Sequence, residues 1–113
     1  MRYDAVFHFD QDAATLTLAL ANIRNYFDGL AEVSFTAVLL VNGPGITCMG
    51  KTSPQAGPIQ ALADRGLSVR VCQNAMRSFN LTPEWLHPAC RIVPAGVIEL
   101  VRLERAGFAY IKP

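Results

Sequence analysis

The sequence predicts an α/β domain built on a mainly parallel sheet of five strands, and three observations carry that prediction. Short β-rich runs alternate along the chain with stretches whose apolar residues recur at helical spacing. The run SFTAVLLV, residues 34–41, is continuously apolar, the pattern of a strand covered on both faces. Gly29, Gly66 and Gly107 stand where three of the helical stretches stop, the usual place for a residue that tolerates a left-handed backbone.

Each element follows in order. Tyr3 to Phe9 reads as the first strand. From Ala13 onward Leu16, Leu20, Ile23 and Phe27 form one helical stripe, and Asp12 is placed to cap it by accepting a first-turn amide. Ser34 to Val41 is the second strand, and Asn42 to Gly57 is loop-like. Pro58 suits the first position of a helix that carries Ile59 and Leu62 and stops at Gly66. Leu67 to Val71 is the third strand; it runs straight into Cys72, Gln73 and Asn74, with a short helix from Ala75 to Phe79.

Thr82, Pro83 and Glu84 read as the cap and first turn of a further helical piece that Pro88 ends. Arg91 to Val93 makes a brief fourth strand. After Pro94, Ala95 and Gly96 a helix with Val97, Leu100 and Val101 on one face runs to Gly107, and Phe108 to Ile111 is the fifth strand. Such alternation favours right-handed crossovers, which bring every loop leaving a strand's C-terminal end to one edge of the sheet. That edge collects His8 to Asp12, Asn42 to Thr52, Cys72 to Asn74 and Pro94 to Gly96, whereas Cys90 falls at the opposite edge.

Composition narrows the function classes. At 113 residues with 51% hydrophobic and 17% charged residues, the chain is expected to form one domain over residues 1–113 with a real core. Ten Lys and Arg against nine Asp and Glu, scattered along the chain, give no basic footprint for nucleic acid. Asp4 and Asp10 come before any apolar run that could serve as a signal sequence, and no stretch approaches the ~20 apolar residues of a membrane span. A soluble cytoplasmic protein with no membrane partner is the expectation. Cys48, Cys72 and Cys90 are odd in number and lack a CxxC pair, and His8 and His87 add no metal-ligand spacing, so neither a disulfide framework nor a metal or cofactor is expected.

One motif points elsewhere. GPGITCMGKTS, residues 43–53, holds Gly45, Gly50, Lys51 and Thr52 in the spacing GxxxxGK(S/T) of a phosphate loop. That mechanism needs a helix opening at the Lys and Thr, whose first amides hold the phosphates. Pro54, Gly57 and Pro58 follow at once and oppose such a helix, and Ile46, Thr47, Cys48 and Met49 are bulky where phosphate needs a close backbone. The sequence therefore argues against an NTPase.

The stronger constellation is VCQNAM, residues 71–76. A cysteine ending a strand and preceding a helix lies where helix amides favour the thiolate, the form that attacks or carries sulfur; the same position also suits a small buried apolar residue. VRVCQNAMRSFNLTPEWL and RIVPAGVIELVRLERAGFAYIKP, together with VFHFDQD and ALANIRN, resemble the DsrE/DsrF-like family of small sulfur-relay proteins over nearly the whole length. The resemblance implies a three-layer α/β/α subunit that assembles into trimers or hexamers, with sulfur donor and acceptor proteins as partners. It also implies a persulfide-carrying cysteine after the third strand, which falls on Cys72, beside a loop that begins at Asn42 and Gly43. The chain is similar to the short stand-alone branch rather than to subunits of hetero-oligomeric relays.

Other residues on this edge have two readings each. Cys48 can serve as a resolving thiol toward Cys72 or pack within its loop. Gln73 and Asn74 can contact a bound group, or Asn74 can cap the helix. His8 can shift a thiol's protonation or be structural. Glu99 and Arg102 are spaced for a local ion pair on a solvated face. The functional expectation is persulfide transfer through Cys72; the alternative is a non-catalytic module that binds a small anion or nucleotide on the same edge.

Overall fold

The alternating runs become five strands and four α-helices in a computed structural model that describes residues 3–113. In chain order these are β1 (Ala5–Phe9), α1 (Ala13–Gly29), β2 (Ala37–Val41), a 3-10 turn (Gly43–Cys48), α2 (Ala56–Asp64), β3 (Ser68–Cys72), α3 (Gln73–Ser78), β4 (Cys90–Val93), α4 (Gly96–Arg105) and β5 (Ala109–Ile111). Asp12 caps α1 as its sequence position predicts, its carboxylate accepting from the Thr15 amide at 3.0 Å.

The strand order is β4-β3-β2-β1-β5, and every pairing is parallel. Each step from β1 to β4 moves the same way across the sheet, so right-handed crossovers place α1, α2 and α3 on one face. The return from β4 to β5 crosses the sheet in the other direction and puts α4 on the opposite face. Alternation along the strands matches these two layers. Phe7, Phe9, Leu39 and Val71 pack with Leu16 and Ile23 of α1, Ile59 of α2 and Met76 of α3. Val6, Val38, Leu40 and Val93 pack with Leu103 of α4. The three-layer α/β/α architecture is thus present. Among the described residues no helix is long and apolar enough to cross a membrane.

Several local expectations change. The segment after Thr82 makes a single turn and not a helical piece: Trp85 N–H donates to Thr82 O and Leu86 N–H to Pro83 O. Its backbone is then captured by the loop after β2. Gly50 and Leu86 form an antiparallel bridge, Lys51 N–H donates to Trp85 O, and His87 N–H donates to Met49 O. Helix α2 begins at Ala56, so Gly57 and Pro58 both lie in its first turn, where a missing amide leaves no hydrogen bond unmade. Helix α3 begins at Gln73, two residues earlier than the spacing suggested, which makes Cys72 its N-cap.

Helix α4 carries the largest correction. Val97 and Val101 do share a face, but with Ile98 it is the exposed one, while Gly96, Glu99 and Leu103 face the sheet. The local pair of Glu99 with Arg102 exists, at 3.1 Å, yet Glu99 is buried and not on a solvated face. Arg70 on β3 donates to its other carboxylate oxygen at 2.7 Å and also bonds the Ser68 hydroxyl at 3.1 Å. A carboxylate is tolerated under this helix because two guanidiniums satisfy it.

Candidate functional site

The topology itself makes a crevice. β3 and β4 are neighbours, but the chain leaves β3 toward the face of α3 and leaves β4 toward the face of α4, so the two connections diverge at the C-terminal edge. Cys72 ends β3 at that point, opposite Val93 in the register. A hollow of about 320 Å³ opens there, with Asn42, Gly43, Cys72, Asn74, Phe79 and Gly96 among its walls.

Close approach of α4 depends on Gly96. A Cβ at this position would lie 3.1 Å from Asn42 Cβ, 3.2 Å from Leu40 Cδ1 and 3.4 Å from Cys72 Cβ, tighter than ordinary contact. The glycine therefore lets the first turn of α4 reach the cysteine. No side chain caps that turn, because Ala95 occupies the N-cap. Gly43 has φ +53°, a left-handed conformation that turns the chain out of β2 and into the 3-10 turn.

Asn42 is held from two directions. Its amide extends the ladder by donating to Phe9 O at 3.2 Å. Its side-chain Oδ1 accepts from His8 Nε2 at 2.7 Å, and His8 Nδ1 in turn accepts from the Tyr110 hydroxyl at 2.6 Å. The His8 and Tyr110 rings meet edge-on, with centroids 5.6 Å apart. This chain of side chains runs from β5 through β1 to the wall of the hollow. Tyr110 is a residue that sequence reasoning missed. The only signal for it was the pairing of the last strand with the first, which puts Tyr110 opposite Val6 and beside His8.

The other candidates divide. Asn74 lines the Cys72 hollow and does not cap α3 with its side chain. Gln73 lines a separate hollow with Met76, Leu81 and Ile92. Cys48 is not a wall of the Cys72 hollow either; it faces one formed with Ala13, Leu16 and Pro54 on the α1 side. Burial pushes the Cys48 thiol above its ordinary value, opposed by a hydrogen bond with Thr47 and reinforced by the Asp12 carboxylate. Cys90 starts β4 at the other edge, as the topology requires, and burial pushes its thiol up to about 12. Neither thiol has the electropositive setting of a nucleophile. All three cysteines are free.

The phosphate-loop spacing has a packing explanation. A Cβ on Gly45 would sit 2.9 Å from the Phe9 ring and 3.0 Å from Asp10 Cα; one on Gly50 would sit 2.6 Å from the Trp85 ring. Both glycines admit neighbours rather than a phosphate. No helix opens at Lys51 or Thr52, where the chain instead makes successive turns, Ser53 N–H donating to Gly50 O and Ala56 N–H to Ser53 O.

Comparison with known proteins adds an independent line. The chain superposes on a protein of unknown function, MTH1491 from Methanobacterium thermoautotrophicum, with a TM-score of 0.91 and 27% identity, covering 98% of this chain and 99% of that one. It shares the fold of the ychN protein from E. coli, with a TM-score of 0.73 and 10% identity over 100% of both chains. No curated protein matches it. The sequence model of the DsrE/DsrF-like family matches residues 2–113, and the chain is therefore a member of that family.

Proposed function

We propose that the protein is a persulfide carrier that receives and passes on sulfur at Cys72. The observation that supports this most is the placement of Cys72 at the β3–α3 junction, in a crevice that the uncapped start of α4 also borders. Membership of a sulfur-relay-related family supports the same reading. In the forward step the Cys72 thiolate attacks the outer sulfur of a donor persulfide. The new bond joins Cys72 Sγ to that sulfur, the donor's S–S bond breaks, and its electron pair leaves with the donor as a thiolate. Transfer to an acceptor thiolate is the same exchange in reverse. Amide dipoles at the start of a helix favour the anionic persulfide.

Incubation with inorganic polysulfide, followed by intact-mass measurement, tests the proposal. One added sulfur is expected on the wild-type chain and none on Cys72→Ser, with Cys48 and Cys90 left unmodified. Addition that is absent, or that persists in Cys72→Ser, would refute it. The uncapped α4 amides also favour a second reading, a module that binds a small anion or nucleotide without covalent chemistry. Thermal stabilisation by such ligands that is unchanged in Cys72→Ser would support that reading instead.

Self-association belongs to the same proposal. Val97, Ile98 and Val101 of α4 and Phe79 at the rim of the hollow are exposed apolar side chains on adjoining parts of the surface. A trimer or hexamer is expected by light scattering at micromolar concentration, and a monomer alone would contradict it.

A further inference from the structure

We propose that His8 is a positioning residue for the Cys72 site, holding the Asn42 carboxamide so that its Nδ2 hydrogens serve the sulfur carried there; this rests on the persulfide reading. β1 reads AVFHF, and His8 is its one polar residue. It lies on the face of the sheet that otherwise presents Val6, Val38 and Leu40 to α4. An apolar side chain would satisfy that packing, so the imidazole has to be explained by what its nitrogens do.

Both are engaged. A carbonyl oxygen cannot donate, so the 2.7 Å contact to Asn42 Oδ1 puts the ring proton on Nε2, and Nδ1 is left to accept from Tyr110 at 2.6 Å. A phenol can donate or accept, so Asn42 Oδ1 is the partner that selects this tautomer, and Tyr110 holds the ring in place behind it. With Oδ1 committed to His8, the donor end of Asn42 is the end left over. Among the described residues Asn42 Nδ2 makes no hydrogen bond, and the residue is a wall of the hollow that contains Cys72. The backbone on either side is fixed as well, by the amide of Asn42 on Phe9 O and by the contact of Asn42 with Gly96.

A terminal persulfide sulfur carries negative charge, and the hollow's lining includes no Lys or Arg. A neutral donor held in one orientation stabilises such an anion without binding it too tightly to be transferred. If Asn42 were free to rotate, its Oδ1 would repel the same sulfur for part of the time.

The experiment measures the rate of sulfur addition from polysulfide, by intact mass, together with the melting temperature, in four variants. His8→Leu removes the donor to Oδ1. His8→Gln restores it, because the glutamine amide nitrogen falls near the place of Nε2. Tyr110→Phe removes only the hydroxyl, and Asn42→Ala removes the amide without touching the sheet. A loss of about tenfold is expected in His8→Leu and Asn42→Ala, as for a charge-assisted hydrogen bond, with recovery to within about twofold in His8→Gln. Tyr110→Phe is expected to lose about threefold. Wild-type rates in Asn42→Ala, or equal losses in His8→Leu and His8→Gln at unchanged melting temperature, would overturn the inference. Failure of the wild-type chain to take sulfur at Cys72 would instead overturn the proposed function, so the two failures are distinct.

Discussion

Glu99→Ala is expected to destabilise the protein by about 3 kcal/mol or more, a larger effect than an average glutamate substitution on a helix. The carboxylate accounts for this because its side chain is only 7% exposed and bonds Arg70, itself 16% exposed, at 2.7 Å. Removing it leaves a guanidinium between helix and sheet with no counter-charge. Arg102 reaches the same carboxylate from outside and is 76% exposed, so Arg102→Ala is expected to change stability by less than about 1 kcal/mol. A double variant, Arg70→Leu with Glu99→Leu, removes both buried charges and is expected to recover most of the loss. Urea denaturation of the three variants measures these differences. A Glu99→Ala cost within about 1 kcal/mol would show that the pair is not electrically isolated from solvent.

Gly45→Ala is expected to cost about 2 kcal/mol through overpacking. The added methyl would meet the Phe9 ring at 2.9 Å and the backbone at Asp10 at 3.0 Å. Phe9 is fully buried, so its ring has nowhere to retreat. Gly29→Ala is the matched control: no other part of the chain lies within 4 Å of its added Cβ, it ends α1, and its φ is not in the left-handed region. It is expected to gain about 0.5 kcal/mol from helix propensity and reduced freedom of the unfolded chain. Melting temperatures should therefore move in opposite directions. Two shifts of the same sign would mean that the crowding at Gly45 is relieved by movement of the loop.

The sequence made legible whatever depends on near neighbours. The stripe through Leu16, Leu20, Ile23 and Phe27 needs only helical spacing, and all four are buried on α1. Cys72 was legible because a strand running directly into a helix is a local pattern. The α4 reading failed on its buried face because the partner that makes Glu99 acceptable there, Arg70, is 29 residues away on another strand. The turn after Thr82 failed for a similar reason, since its backbone answers to Gly50, Lys51 and Met49 rather than to its own capping residues. Whether Cys48 stood beside Cys72 depended on the side toward which the 3-10 turn folds. It folds toward α1, where Ile46 and Met49 are buried against the core.

The β1–β5 pairing has a consequence for the order in which the molecule is completed. β1 to β4 pair with their neighbours in the chain, whereas Tyr110 reaches His8 and Lys112 reaches Asp10 across 102 residues. Closing so long a loop carries more entropy than the local crossovers, so this last pairing is expected to follow them in time. Asn42 after β2, Cys72 on β3 and Gly96 at the start of α4 meet without any residue of β5. The anchor on His8 arrives only with that strand. The C-terminal strand is thus the clasp of the site: were it to undock, the thiol would keep its crevice while the imidazole lost the hydroxyl that steadies it.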